Sequence, residues 1–265
     1  MALIYDVGMN NGDDTAYYLS RGYSVIAIEA SPPLVHSALK RFRKEVKSGQ
    51  LTILALAIAE ESGEGDFWIC EGQSEWNSLK KELAAREMRD HYCVRVPTAR
   101  FRDILSLHER PHYIKVDIEG SDFLCLRDLD EGNSPRFLSA ESECSDGAVT
   151  LDDAQYFATI HRMREKGYEK FKLVSQSLLV PVSHTNLDLY FDRAYRAKVR
   201  AEIERNCGVL FPASSSGPFG DDIPGVWMGF SEAVEVYREF RERFFRVYKS
   251  APLYSFWCDW HASRA

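Results

Sequence analysis

The chain has 265 residues, long enough for one large α/β domain with an elaborated end. Hydrophobic residues make up 45% and charged residues 28%, which excludes a disordered chain. A net charge of -7 argues against nucleic acid or an anionic membrane surface as partner, since both require clustered Lys and Arg. The longest purely apolar run, Ile53 to Ala59, is far short of the roughly 20 residues that span a bilayer. The chain enters a strand-like stretch within two residues, without the pattern of a secretory leader, so a cytoplasmic protein is expected. Six scattered cysteines (Cys70, Cys93, Cys125, Cys144, Cys207, Cys258) form no CxxC pair and read as buried free thiols.

Strand-like and helical segments alternate through the first two thirds, the pattern of βαβ units around a parallel sheet. Strands are predicted at Leu3-Val7, Ser24-Glu29, Leu51-Ala57, Tyr113-Asp117, Phe137-Glu141 and Tyr168-Val174. A first helix over Thr15-Arg21 would be capped by Asp13 or Asp14. Ser31 followed by Pro32 and Pro33 opens a second, with Val35, Ala38, Leu39, Phe42 and Val46 at helical spacing and Gly49 as its stop. Residues 63–98 interrupt the alternation with a short hairpin and a charged helix around Leu79-Arg89. Later, Asp152 would cap a helix facing Tyr156, Phe157, Ile160 and Met163 inward, ended by Gly167. The stretch from Ser214 to Trp227 reads as an ordered loop, and Ala233, Tyr237, Phe240, Phe244 and Val247 form an apolar stripe on a helix of about five turns. Residues 1–176 are expected to form the core and residues 177–265 an extension of the same domain, carrying the last strand, the loop and this helix.

The run "IYDVGMNNGDDT", Ile4 to Thr15, is where chemistry concentrates. A strand passing through a glycine turn into a helix offers free backbone N–H groups at the carboxyl edge of the sheet, a seat for nucleotide-like ligands. Gly8 and Gly12 permit a tight turn, and Asn10 and Asn11 tolerate positive φ. The spacing departs from the GxGxxG dinucleotide fingerprint. Asp6, Asp13 and Asp14 would also repel a pyrophosphate, so a ligand with a positive centre is expected. Glu29 ends the second strand, 17 residues after Gly12, where a carboxylate accepts both hydroxyls of a ribose. S-adenosylmethionine, with its ammonium, sulfonium and ribose, meets these requirements.

"DVGMNNGDDT" with "IEASP" resembles the cofactor loop and ribose-binding strand end of FkbM-type methyltransferases, and "YIKVDIEGSDFLCLRDL" (Tyr113 to Leu129) resembles that family's second hallmark, a strand ending in K-x-D-x-E-G. Met9 stands where a small residue is usual. The likeness covers about residues 3–175 and is less secure beyond Gln176. It implies a class I methyltransferase Rossmann-like fold: α/β, a mostly parallel seven-stranded sheet with helices on both faces, an antiparallel last strand and a C-terminal helical and loop extension. It further implies methyl transfer to a hydroxyl oxygen of a sugar, glycan, polyketide or related small metabolite. By the same resemblance, Ala57 and Ile58 would border the adenine.

The expected cofactor-binding residues are therefore Asp6, Gly8, Asn10, Gly12, Asp13, Thr15, Glu29, Ala57 and Ile58. Asp117, Glu119 and Glu141, at or just beyond strand ends, are the candidates for the transfer site. Asp117 and Glu141 could hold Mg2+ or Ca2+ between them, share a proton with one serving as general base, or, for Asp117, cap the next helix. No histidine stands out as a base; His184 and His261 are the weak candidates. The Ser214-Trp227 loop reads as a lid, a substrate wall or a plain connection, and the C-terminal helix as core or homodimer packing. Two rival readings are a nicotinamide-dependent oxidoreductase and a non-catalytic adenosine-ligand module.

Overall fold

The computed structural model of the chain describes residues 1–142, 156–212, 215–251 and 256–264, with the backbone alone at residue 177. Asp152, Cys144 and Ser214 lie outside them. Contacts divide the chain into two compact units, Met1–Pro135 and Arg136–Ala265.

In the first unit, β1 (Leu3–Val7) lies between β2 (Ser24–Glu29) and β7 (Tyr113–Val116), and β2 continues to β3 (Leu51–Ala55), all parallel. Ile4, Tyr5, Ile26, Ala27, Ile28, Tyr113 and Ile114 are almost wholly buried, as a parallel sheet covered on both faces requires. Helix α1 (Asp13–Ser20) follows β1, and the predicted second helix is divided into α2 (Pro32–Arg41) and α3 (Arg43–Ser48). The bend falls at Phe42, whose φ of -104° and ψ of 28° leave the helical range while its ring turns inward.

The interruption holds a second sheet, ordered β4 (Ala57–Ile58), β6 (His91–Ala99), β5 (Gly63–Cys70). Strands β5 and β6 pair antiparallel from Gly63↔Thr98 to Cys70↔His91, a longer hairpin than expected. The segment joining them carries a helix of only four residues, α4 (Lys81–Ala84), in place of one reaching Arg89. Glu87 and Met88 both take a φ of 55°, which ends any α-helix there. Helices α5 (Phe101–Leu105) and α6 (Asp122–Arg127) complete this unit.

In the second unit the order is β10 (Val180–Val182), β9 (Lys170–Ser175), β11 (Cys258–Ser263), β8 (Phe137–Glu141). The last strand, β11, runs antiparallel to both β8 and β9, with Trp260 opposite Ala140 and Leu173. Helix α7 (Ala158–Glu165), ended by Gly167 at a φ of 86°, packs with the five-turn α9 (Phe230–Val247) through Phe157 and Tyr237. Helix α8 (Arg193–Cys207) precedes the loop that leads into α9.

The large sheet thus counts eight strands, four in each unit, where seven were expected. The additional one, β10, has three residues with Pro181 at its centre. Proline lacks the N–H that an interior ladder needs, and β10 stands at the sheet edge, where that loss is tolerated.

Candidate functional site

The Gly8–Asp13 loop follows β1 directly. A Cβ on Gly8, at a φ of 87°, would stand 1.7 Å from the carbonyl oxygen of Asp117, so only glycine fits. A Cβ on Gly12, at 81°, would meet the Phe42 ring at 2.6 Å. Gly12, not Asp13 or Asp14, is the residue that caps α1, and both aspartates fall in its first turn, where negative charge suits the helix dipole.

The loop amides do not face outward as the sequence suggested. Gly8 and Met9 both donate to the Ile28 carbonyl at 3.0 Å, Gly12 donates to Met9, Asn10 to Glu29 Oε2 at 2.8 Å, and Asp13 to Asn11 Oδ1 at 2.9 Å. With those N–H groups engaged inside the protein, little remains to cradle a pyrophosphate.

The acids of the loop are likewise partnered. Asp6 is fully buried and accepts the Thr15 hydroxyl at 2.5 Å. Burial pushes its carboxyl up despite the adjacent ammonium of Lys115. Lys115, also buried, stands 3.4 Å from Asp6, 3.5 Å from Asp14 and 3.5 Å from Asp117, and donates to the Gly8 carbonyl at 3.1 Å. Burial alone would lower its pKa; the surrounding carboxylates, Asp6 first, hold it well above the usual lysine value. Asp13 pairs with Arg41 at 2.8 Å. Asp6 and Thr15 are thus a buried brace behind the loop, while Gly8, Asn10 and Asp13 are partly exposed on it. Lys115, the lysine of the K-x-D-x-E-G run, was given no role by the sequence reading, although it is the single charge in the otherwise apolar strand YIKV.

Glu29 is 7% exposed, and its two oxygens accept the amides of Asn10 and Ser31, each at 2.8 Å. Burial raises its pKa to about 7 against the lowering effect of these N–H donors. A carboxylate offers about four lone-pair positions, and the backbone of Asn10, Ser31 and Ala30 takes up to three of them, so acceptor capacity remains for a ribose hydroxyl. Beside it, Ser31, Ile69, Gln73 and Ser74 line a cleft of about 560 Å³. Ser74 donates to Asn10 Oδ1 at 2.8 Å, tying the cleft wall to the loop. Ala57 and Ile58 are buried in β4, and Ala57 shares an apolar cluster with Ile69, Phe67, Val96 and Ala30. None of the expected cofactor residues lines the cleft itself; it adjoins Glu29 through Ser31 and Ala57 through Ile69.

Asp117 does not cap α6: its carboxylate meets Lys115, while Asp122 accepts the Ile118 amide. Glu119 has a φ of 43° and its buried carboxylate pairs with Arg86 at 3.1 Å, while Ser78 donates to its carbonyl at 2.9 Å. These contacts fasten the 71–90 segment to the end of β7. In the second unit, Glu141 ends β8 and accepts the indole N–H of Trp257. Among the described residues no group of three or more His, Cys, Asp and Glu side chains is placed to hold a metal ion. His184 is exposed beside Glu235 and Glu239. His261 is buried in β11 with its pKa lowered to about 3, by burial first and then by Lys172.

The family model described as "Methyltransferase FkbM domain" matches residues 6–169, more than half of the chain. The chain belongs to the FkbM methyltransferase family. It is therefore an S-adenosylmethionine-dependent methyltransferase by class. No curated protein sequence matches it. Among solved structures it is similar to the fibrillarin pre-rRNA processing protein of Methanococcus jannaschii, with 10% identity, a TM-score of 0.39, and coverage of 65% of this chain and 59% of that one. The MccD protein aligns with 8% identity and a TM-score of 0.40 over 99% of this chain and 88% of that one. A phosphoethanolamine N-methyltransferase 2 from Haemonchus contortus, in complex with S-adenosylhomocysteine, aligns with 9% identity and a TM-score of 0.38 over 99% of this chain and 49% of that one. No helix among the described residues is long and apolar enough to cross a membrane.

Proposed function

We propose that this FkbM-family chain transfers the methyl group of S-adenosylmethionine to a hydroxyl oxygen of a small metabolite, such as a sugar, glycan or polyketide. The observation that carries the cofactor side is Glu29, whose buried carboxylate keeps acceptor capacity and is bonded to Ser31, a residue that lines a cleft of about 560 Å³. When bound, the cofactor supplies an activated methyl on a sulfonium, which lowers the demand on protein acid-base chemistry. Gly8, Asn10 and Asp13 present the loop surface to it; Asp6, Thr15 and Lys115 hold that loop from behind. Ala57, packed with Ile69 in the apolar cluster, and Ile58, buried next to it in β4, would form the flank for adenine.

For the acceptor, the candidate carboxylates are Asp117 of the first unit and Glu141 of the second, each taken by itself as an orienting hydrogen-bond acceptor or as the proton's destination. Alignment of nucleophile and methyl is worth up to about 7–11 kcal/mol, against roughly 3–5 from a general base, so a weak base suffices. Glu119 is engaged with Arg86 and serves to anchor the 71–90 segment. A hard cation at Asp117 and Glu141 gains no support from their chemistry, because the first stands against an ammonium and the second against an indole N–H. The nicotinamide reading is disfavoured by the engaged loop amides.

Incubation with S-adenosylmethionine labelled in the methyl group and a panel of hydroxylated sugars, aromatic alcohols and polyketides tests the reading. Label in an ether-linked methyl group, lost in Glu29→Ala, is the expected result. Label appearing only on nitrogen or carbon would overturn it.

A further inference from the structure

The second unit holds a concavity of about 290 Å³, none of whose lining residues is among those proposed for the methyl donor. Its floor is aromatic: Tyr190, Phe240 and Phe256 are nearly fully buried, with ring centroids 4.5 Å apart for the first pair and 5.0 Å for the second. Tyr248, Trp257 and Arg196 stand at its more open edge. The guanidinium of Arg196 donates one N–H to the Tyr190 carbonyl at 2.8 Å and lies 5.6 Å from that residue's ring. Among the described residues no carboxylate pairs with it.

The polar groups inside are few. Tyr190 donates its hydroxyl to Ser175 Oγ at 2.8 Å, so the two largely satisfy one another. A guest rich in hydroxyls would press several of them against aromatic carbon without partners, which is costly. A flat aromatic body has no such penalty and gains edge-to-face contacts with the rings. A guanidinium with several N–H donors left at the edge selects a carboxylate, which it can bind in a fork.

We propose that this pocket seats a small aromatic carboxylate of one or two rings, and that hydroxylated members of this class are the methyl acceptors. The link to methyl transfer is Trp257, which lines the pocket and donates to Glu141, the strand-end carboxylate assigned above to the acceptor; in that part the inference rests on the proposed function.

Calorimetry of the full chain with 2-naphthoate and its neutral counterpart 2-naphthamide tests the pocket without any methyl transfer. Naphthoate is expected to bind about tenfold more tightly than naphthamide, and Arg196→Gln to erase that difference while leaving naphthamide binding unchanged. The acid and amide comparison on the unaltered chain stands even if R196Q fails to fold. Equal affinity for the two probes, or no binding of either, overturns the inference. Naphthoate binding with the expected R196Q loss, but no methyl transfer to any hydroxynaphthoate or other alcohol, overturns the proposed function and leaves the pocket in place.

Discussion

Glu29 combines burial, which penalises its charge, with two short amide hydrogen bonds, which favour it; burial prevails and its pKa rises to about 7. The unfolded carboxyl gives up its proton near 4.5, so between these values the folded chain holds more protons and stability falls as pH rises. The loss is complete above pH 7 and amounts to about 3 kcal/mol. Comparing urea midpoints at pH 5 and pH 7.5, Glu29→Gln is expected to lose less stability than the wild type by roughly that amount; equal losses would contradict the assignment. Ribose hydroxyls need the ionised form as acceptor, so S-adenosylhomocysteine should bind more tightly at pH 8 than at pH 6. Lys115 carries the second expectation at this scale. Lys115→Met removes the ammonium shared by Asp6, Asp14 and Asp117 and should cost about 3–5 kcal/mol, read from the same unfolding curves. Sequence pattern drew attention to Glu29 and the loop glycines because a strand end and a tight turn are features of local chain geometry. It did not place Lys115 among Asp6, Asp14 and Asp117, because Lys115 lies 109 residues from Asp6 and no local pattern reports such a pairing.

Among the elements, the buried parallel strands and the five-turn α9 were legible because long apolar runs and a 3.6-residue stripe leave few alternatives. Helix α8 was not, since only Ile203 and Cys207 of its 15 residues are buried and no apolar stripe marks it. The loop toward α9 is fixed by contacts equally invisible in sequence: Lys172 donates to the carbonyls of Gly220 at 3.2 Å and Ile223 at 2.5 Å, and its ammonium lies 4.4 Å from the Trp227 ring. Burial lowers the Lys172 pKa to about 8. Directly across from it in the β9–β11 ladder stands His261, kept neutral by burial and by that ammonium, with its pKa at about 3. An unfolded histidine protonates near 6.5, so this stability is present above that pH and is lost as pH falls toward 3. The full effect is roughly 5 kcal/mol. His261→Phe should therefore narrow the gap between melting points at pH 7 and pH 4; an unchanged gap would mean that β11 does not bury an ionisable ring.

For the molecule as a whole, the family match ends at residue 169, so the aromatic pocket, the Lys172-bound loop and α9 lie beyond the matched residues. The loop acids Asp6, Asp13 and Asp14 suggested a cofactor with a positive centre. The structure changes that argument, because Asp6, Asp14 and Asp117 surround one lysine and Asp13 meets Arg41. Selection should then rest on the adenosyl shape and Glu29 more than on the sulfonium charge. S-adenosylhomocysteine at a hundredfold excess over its Kd should stabilise the chain by about 2.7 kcal/mol, while NAD should leave its melting point unmoved. S-adenosylmethionine and S-adenosylhomocysteine should also bind within about threefold of each other, with little change when salt rises and screens exposed charges. A strong preference for the cationic form that disappears in high salt would show instead that the loop carboxylates face the ligand unneutralised, and the pairing with Lys115 would not be the state that binds.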